Sequence, residues 1–239
     1  ESLAKTPMNQ AIKCKDYECL SIILNHTNSQ KLDEKNYTPL MKAISYNFSE
    51  AAKILVDNGA DVCYTTPDMK NALYLACYKK DEGLVKYLLE NGADAISRGY
   101  NGQCPIHWAS LSGNINIVKL IFAYGADPNV YDSRGRLPTF SALIPENRDK
   151  ILKILLDAGC NPNAKQKNNN QTILSSLVSM PEDATVLNSI KIVLESGGDL
   201  NHICKNKLTV YQFAKRVGSP AMVKVFDDFI SENPGITVK

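Results

Sequence analysis

A segment of about thirty-three residues recurs along the chain, and no other feature of the sequence restricts its fold so strongly. The clearest copy is Gly102–Asp127: a turn, a short helix from Pro105, a break at Gly113, then a second apolar-periodic helix closing on Gly125-Ala126-Asp127. The Cys104 position falls successively on Thr6, Thr38, Asn71, Cys104, Leu137, Thr172 and Thr209, at intervals of 32, 33, 33, 33, 35 and 37 residues. Self-similarity at this period specifies a repeat array, in which each unit buries its apolar face only against its neighbours. Length then counts repeats. The 239 residues predict a single domain of about seven units, approximately 1–32, 33–65, 66–98, 99–131, 132–166, 167–203 and 204–239, the first and last acting as caps.

The second unit is close to ideal: Thr38 is placed to cap a helix whose first turn holds Pro39, where a missing N–H costs nothing, and Gly59 follows the second helix where the chain must turn left-handed. In the third unit Asn71 takes over the capping role. The others depart from the template. The first has Thr27-Asn28-Ser29 in place of Gly-Ala-Asp. The fifth has Pro145, which is expected to stop its first helix. The sixth lengthens the connection between its helices around Met180-Pro181-Glu182-Asp183, and the seventh breaks at Gly218 and ends in a helix around Ala221 to Ile230. Leu40, Leu73, Ile106, Leu174 and Tyr211 share one core position of the stack. Leu55, Leu88, Ile121, Leu155 and Val193 line the second helices.

Composition narrows the function. With 27 basic and 25 acidic residues the net charge of +2 carries no electrostatic footprint for nucleic acid. Seven cysteines at scattered positions suit buried thiols in a reducing compartment, so an intracellular, cytoplasmic or nuclear setting is expected. No run reaches the ~18–20 apolar residues of a membrane helix, and membrane insertion is not expected. A start at Glu1 without Met suggests an excised or processed piece, although both ends read as capped.

Thr38-Pro39-Leu40 with Ala43, Cys104-Pro105-Ile106-His107-Trp108-Ala109, and the Gly-Ala-Asp closures at 59, 92 and 125 resemble the ankyrin repeat, whose hallmark is Thr-Pro-Leu-His-x-Ala at this period. The resemblance implies an all-α solenoid of antiparallel helix pairs joined by β-hairpin loops, and binding of a protein or extended peptide on its concave face by a monomer. On that alignment the variable positions are exposed: Glu34, Lys35 and Tyr37; Pro67, Asp68 and Lys70; Tyr100, Asn101 and Gln103; Ser133, Arg134 and Arg136; Asn168, Asn169 and Gln171 on the hairpins. Ser45 and Tyr46, Tyr78 and Lys79, and Leu111 and Ser112 follow at the first-helix ends. Aromatic and arginine side chains on a rigid surface are typical interface anchors. The partner-binding candidates are therefore Lys35, Tyr37, Tyr46, Lys70, Tyr78, Lys79, Tyr100, Leu111, Arg134 and Arg136.

Other constellations have plainer readings. Trp108, the one tryptophan, sits at a helix position expected to pack, and the resemblance gives His107 a structural role joining loops. His26 and His202 lie far from it along the array, so no metal cluster is expected, and no phosphate loop, serine elbow or zinc-protease motif occurs. Asp61, Asp94, Asp127 and Asp199 recur because each fills a turn, not an acid–base pair. The sequons at Asn25, Asn36, Asn47 and Asn170 read as chance matches. The expected function is thus non-enzymatic, without cofactor. The alternatives are a regulatory or substrate-recruiting region of a larger enzyme, channel or pathogen effector, and an aromatic cage in which Tyr74, Tyr78, Trp108 and Leu111 converge from adjacent first helices.

Overall fold

The computed structural model describes residues 7–24 and 32–238, so Thr6, the Asn25 sequon, His26 and Thr27-Asn28-Ser29 lie outside the described residues. By the way its backbone packs, the chain divides into two compact units, Glu1–Ala126 and Asp127–Lys239.

Unit 1 holds four helix pairs: α1 (Pro7–Cys14) and α2 (Tyr17–Leu24), α3 (Pro39–Ser45) and α4 (Ser49–Asp57), α5 (Ala72–Tyr78) and α6 (Glu82–Glu90), α7 (Pro105–Ser112) and α8 (Ile115–Ala123). First helices pack in the order α1, α3, α5, α7 and second helices in the order α2, α4, α6, α8, giving two layers. Local chemistry fixes the boundaries. Thr38, in extended backbone, accepts a hydrogen bond from the Met41 N–H at 3.2 Å, and Asn71 accepts one from Tyr74 at 2.8 Å. Asp81 and Asn114 cap the second helices α6 and α8 in the same way. The second, third and fourth pairs each close on a left-handed glycine, Gly59, Gly92 and Gly125 having φ of 80°, 90° and 86°. The following alanine turns its N–H back onto the helix, Ala60 to the Leu55 carbonyl at 3.0 Å and Ala93 to Leu88 at 2.9 Å.

Unit 2 is built from α9 (Pro138–Ser141) and α10 (Arg148–Asp157), α11 (Ile173–Val178) and α12 (Ala184–Glu195), and α13 (Val210–Val217) and α14 (Pro220–Glu232). α11 packs on α13, and α12 lies between α10 and α14. α9 stops at Ser141, short of the Pro145 expected to end it. It has only four residues, and Leu137 at its N-cap makes no side-chain hydrogen bond to it. The longer connection of the sixth unit falls at residues 179–183, as its extra length requires.

The core follows the stacking positions. Leu40, Leu73, Ile106 and Leu174 are buried, as are Leu55, Leu88, Ile121, Leu155 and Val193. Tyr211 is the exception: it is half-buried, and its hydroxyl donates to Asp227 on α14 while Val210 beside it is sealed. A phenol keeps its hydroxyl near a polar partner where an alkyl side chain would close the layer. The loops between pairs are tighter than a β-hairpin ladder. Among the described residues the one recorded bridge joins Ile203 and Thr209, and the loop tips close instead by paired turn bonds such as Asp33 N–H to Tyr37 O at 3.0 Å with Asn36 N–H to Asp33 O at 3.0 Å.

In unit 2 an asparagine ladder ties successive closures. The Asn129 amide donates to the Gly159 carbonyl at 2.9 Å while its oxygen accepts from Asn161 N–H at 2.8 Å. Asn163 repeats this with Gly197 and Asp199 at 2.8 and 2.7 Å. In unit 1 the corresponding residues are Ile96, which has no polar side chain, and Cys63, whose thiol makes the weaker contact to the Gly92 carbonyl at 3.3 Å. Cys63→Asn is therefore expected to stabilise the protein by about 0.5–1.5 kcal/mol through one better donor and one new acceptor, read as a higher urea midpoint with unchanged slope.

Candidate functional site

The expected binding surface of unit 1 is made by its loop tips and first helices. At the first tip, Asp33 accepts from the N–H groups of Lys35 and Tyr37 at 2.8 Å each and pairs with Lys42 on α3 at 2.7 Å. Burial would push this carboxyl up. The Lys42 ammonium and the two backbone donors outweigh it, and its pKa lies below the ordinary carboxylate value. At the second tip, Lys70 and Thr66 hold Asp68 below its ordinary value, and Asp68, 2.8 Å away, in turn raises Lys70.

Lys70 also lies 6.0 Å from the centre of the Tyr100 ring, within electrostatic reach of Tyr37 and Tyr74. The cation among these rings is thus the chain's own lysine. Behind it, Tyr74 stacks on Tyr78 with centroids 6.4 Å apart, one helical turn along α5, and meets Trp108 of α7 edge-on at 4.4 Å. Of the four residues in the aromatic-cage alternative, Tyr74 thus meets both Tyr78 and Trp108, while Leu111, which carries no ring, takes no part in these ring contacts. Trp108 is half-buried, and its indole N–H, shut from solvent, has no hydrogen-bond partner among the described residues. His107 is buried, its Nδ1 accepting from the Cys104 N–H at 3.2 Å within its own turn. His202 joins loops, its Nε2 meeting the Asn170 carbonyl at 2.7 Å.

Of the surface candidates, Tyr46, Tyr78 and Tyr100 are 41%, 61% and 43% exposed, and Lys35 is exposed as well. Tyr37, Lys70, Lys79 and Leu111 are half-buried. Gln103 and Ser112, expected at the surface, are buried, Ser112 because its hydroxyl turns back onto the Ala109 carbonyl at 2.7 Å. In unit 2 Arg134 is exposed. Arg136 is not a free anchor: its guanidinium grips the buried Asp132 through Nε at 2.9 Å and through a second nitrogen at 2.7 Å.

Met69 escaped the sequence reading. It is 45% exposed at the second tip, with φ of 63° at the position where other tips place Asn36 or Gly135. Aligning the tips would have exposed it, since a long apolar side chain is costly in a left-handed turn. The titration shifts in both units lead away from neutrality. Asp33, Asp68 and Asp132 are depressed, while burial pushes the Cys77 and Cys160 thiols up to about 12. Such groups keep one charge state near pH 7, which suits structural roles rather than proton transfer. Among the described residues no helix is long and apolar enough to cross a membrane.

The family profile of ankyrin repeats in three copies matches residues 1–66 and 63–132, more than half of the chain. The protein belongs to the ankyrin-repeat family. An ankyrin repeat protein of Acanthamoeba polyphaga mimivirus is 30% identical over 175 residues, covering 70% of this chain and 23% of its own. A palmitoyltransferase of Homo sapiens is 33% identical over 107 residues, covering 44% of this chain and 17% of its own. The ankyrin chain described here thus spans less than a quarter of either relative. In solved structures the fold matches the ankyrin repeat domain of Bcl-3 at a TM-score of 0.77, with 22% identity over 95% of this chain and 100% of that one. It matches the human ASB11 ankyrin repeat domain at 0.76, with 19% identity over 94% and 98%. The solenoid of helix-turn-helix units expected from the period is the observed fold, and an ankyrin array of this kind is a protein–protein interaction module.

Proposed function

We propose that the chain is a non-catalytic module, monomeric, whose concave face in unit 1 holds a protein or an extended peptide across its first helices and loop tips. The observation that carries this reading is the aromatic cluster of Tyr74, Tyr78 and Trp108, bordered by the exposed rings of Tyr46 and Tyr100. Rings already fixed by mutual packing lose little freedom when a partner covers them. Lys35 and Lys79 supply charges at the border. The cysteines, of which Cys77, Cys104, Cys160 and Cys204 are buried and Cys14, Cys19 and Cys63 exposed rather than buried as expected, form no disulfide among the described residues, which fits an intracellular setting, cytoplasmic or nuclear.

The test is affinity capture to identify the partner, followed by calorimetry with single variants. Tyr78→Ala removes a mostly exposed ring and is expected to leave the melting curve unchanged while weakening the partner by about 2 kcal/mol, roughly thirtyfold. If Tyr78→Ala and Tyr46→Ala both fold normally and bind with native affinity, the assignment of this face is wrong.

A second reading is favoured by the small share of the relatives that the chain covers, 23% and 17%. In it the same surface recruits substrates or regulators for a catalytic, membrane or secreted portion of a longer protein. Sequencing the gene on both sides of the segment decides between a free-standing module and such a region.

A further inference from the structure

The loop tips of the two units differ in charge. Those of unit 1 mix signs, with Asp33, Glu34 and Asp68 against Lys35, Lys70 and Arg98. The three tips of unit 2, residues 131–136, 165–171 and 203–208, contain six cations and one carboxylate, Asp132. That carboxylate is buried and engaged by Arg136. Arg134, Lys165, Lys167, Lys205 and Lys207 are all exposed, and none has a recorded ion pair among the described residues. The tips are also tied to one another. Lys167 N–H bonds the Arg134 carbonyl at 3.4 Å, and a Cβ on Gly135 would lie 2.5 Å from the Lys167 Cγ, so the lysine stem lies across the glycine. His202 in turn bonds the Asn170 carbonyl. Like charges are therefore held side by side along a row, an arrangement that raises the local potential and favours an anion.

We propose that this ridge docks an acidic, extended segment of a partner protein. Helix pairs stack about 8–10 Å apart, so three tips span roughly 20 Å, about six residues of extended chain at ~3.3 Å each. A carboxylate at every third residue then meets successive tips. The exposed amides of Asn168 and Asn206 stand beside the lysines as neutral donors for the same oxygens. A nucleic acid fits less well, because the tips present one exposed aromatic ring, Tyr131, for bases to stack on, and the net charge is only +2.

The experiment is fluorescence anisotropy with a labelled peptide of four Glu-Ser-Gly triplets, its Gln counterpart, and a labelled single-stranded oligothymidine of equal length. Each is titrated with the whole protein at about 50 mM and about 300 mM salt. The Glu peptide is expected to bind best and to weaken sharply at the higher salt. The triple variant Lys167→Glu, Lys205→Glu, Lys207→Glu is expected to lose roughly tenfold or more. The triple variant Lys150→Glu, Lys191→Glu, Lys224→Glu changes net charge equally on exposed second-helix sites and is expected to lose less than about twofold. Circular dichroism checks that both fold. Equal losses in the two triples, equal binding of the Gln peptide, or tighter binding of the oligonucleotide would each overturn the proposal. Tyr78→Ala is expected to leave Glu-peptide binding intact, which separates this surface from the aromatic face of unit 1.

Discussion

Leu88→Ala is expected to remove about 2–5 kcal/mol from the stability of the protein, a large part of the ~5–15 kcal/mol an ordinary domain possesses. Leu88 has no exposed surface. It sits on α6, between α4 and α8, and its backbone carbonyl receives the Ala93 N–H that closes the repeat. Truncation leaves a void bounded on both sides by the neighbouring pairs, which cannot close in without dragging the Gly92 turn with them. Urea unfolding followed by circular dichroism measures the loss, and Leu88→Met, which keeps the volume, is expected to cost less than about 1.5 kcal/mol. An alanine variant within 0.5 kcal/mol of wild type, on the order of a surface substitution, would show that this layer is not the core.

The second large effect is expected at Asp132. Its carboxylate accepts from the N–H groups of Arg134 and Arg136 at 2.9 Å each and from the Arg136 guanidinium. Burial alone would raise its pKa. The backbone donor of Arg136, its guanidinium and the Arg134 N–H together hold it below the ordinary value. Asp132→Ala strands these donors and is expected to cost about 2–3 kcal/mol at pH 7, less than a fully buried pair because Arg136 keeps contact with water. The sign of the pH dependence follows. A carboxyl with a depressed folded pKa contributes its stability above the unfolded value, near 4, and loses it as pH falls through the folded value. The gap between wild type and Asp132→Ala is therefore expected to shrink below about pH 4. An identical gap at pH 7 and pH 3 would mean that charge has no part in holding this loop.

Periodicity revealed the helix pairs because each boundary is written in local chemistry. Thr38 and Asn71 accept the expected N-cap bond, Thr172 and Thr209 at the same repeat position do likewise, and the glycines at 59, 92, 125, 159 and 197 all turn left-handed. Asn36, Asn47 and Asn170 show why the sequons recur: each sits at φ of 55–58°, where asparagine is tolerated better than most residues. What local chemistry does not encode is pairing between side chains distant in the chain. Nothing around Arg136 alone shows that its guanidinium belongs to Asp132 rather than to a partner. The meeting of Tyr74 with Trp108 depends on two helices being stacked in register, so it was visible only as a possibility. The four-residue α9 was hidden for a related reason. Leu137 cannot cap, and the shortened helix rests on burial of Pro138, Thr139 and Phe140 rather than on a local signal.

The asparagine ladder of unit 2 has a consequence for how its loops can be watched in solution. A loop amide ordinarily trades its hydrogen with water quickly, at a pace set by its own motion. Here the amides of Asn161 and Asp199 are each clasped by a side chain more than thirty residues upstream. Deuterium uptake at Asp199 therefore clocks the departure of the strip of chain carrying Asn163, so each of these two amides serves as a sentinel for the repeat before it.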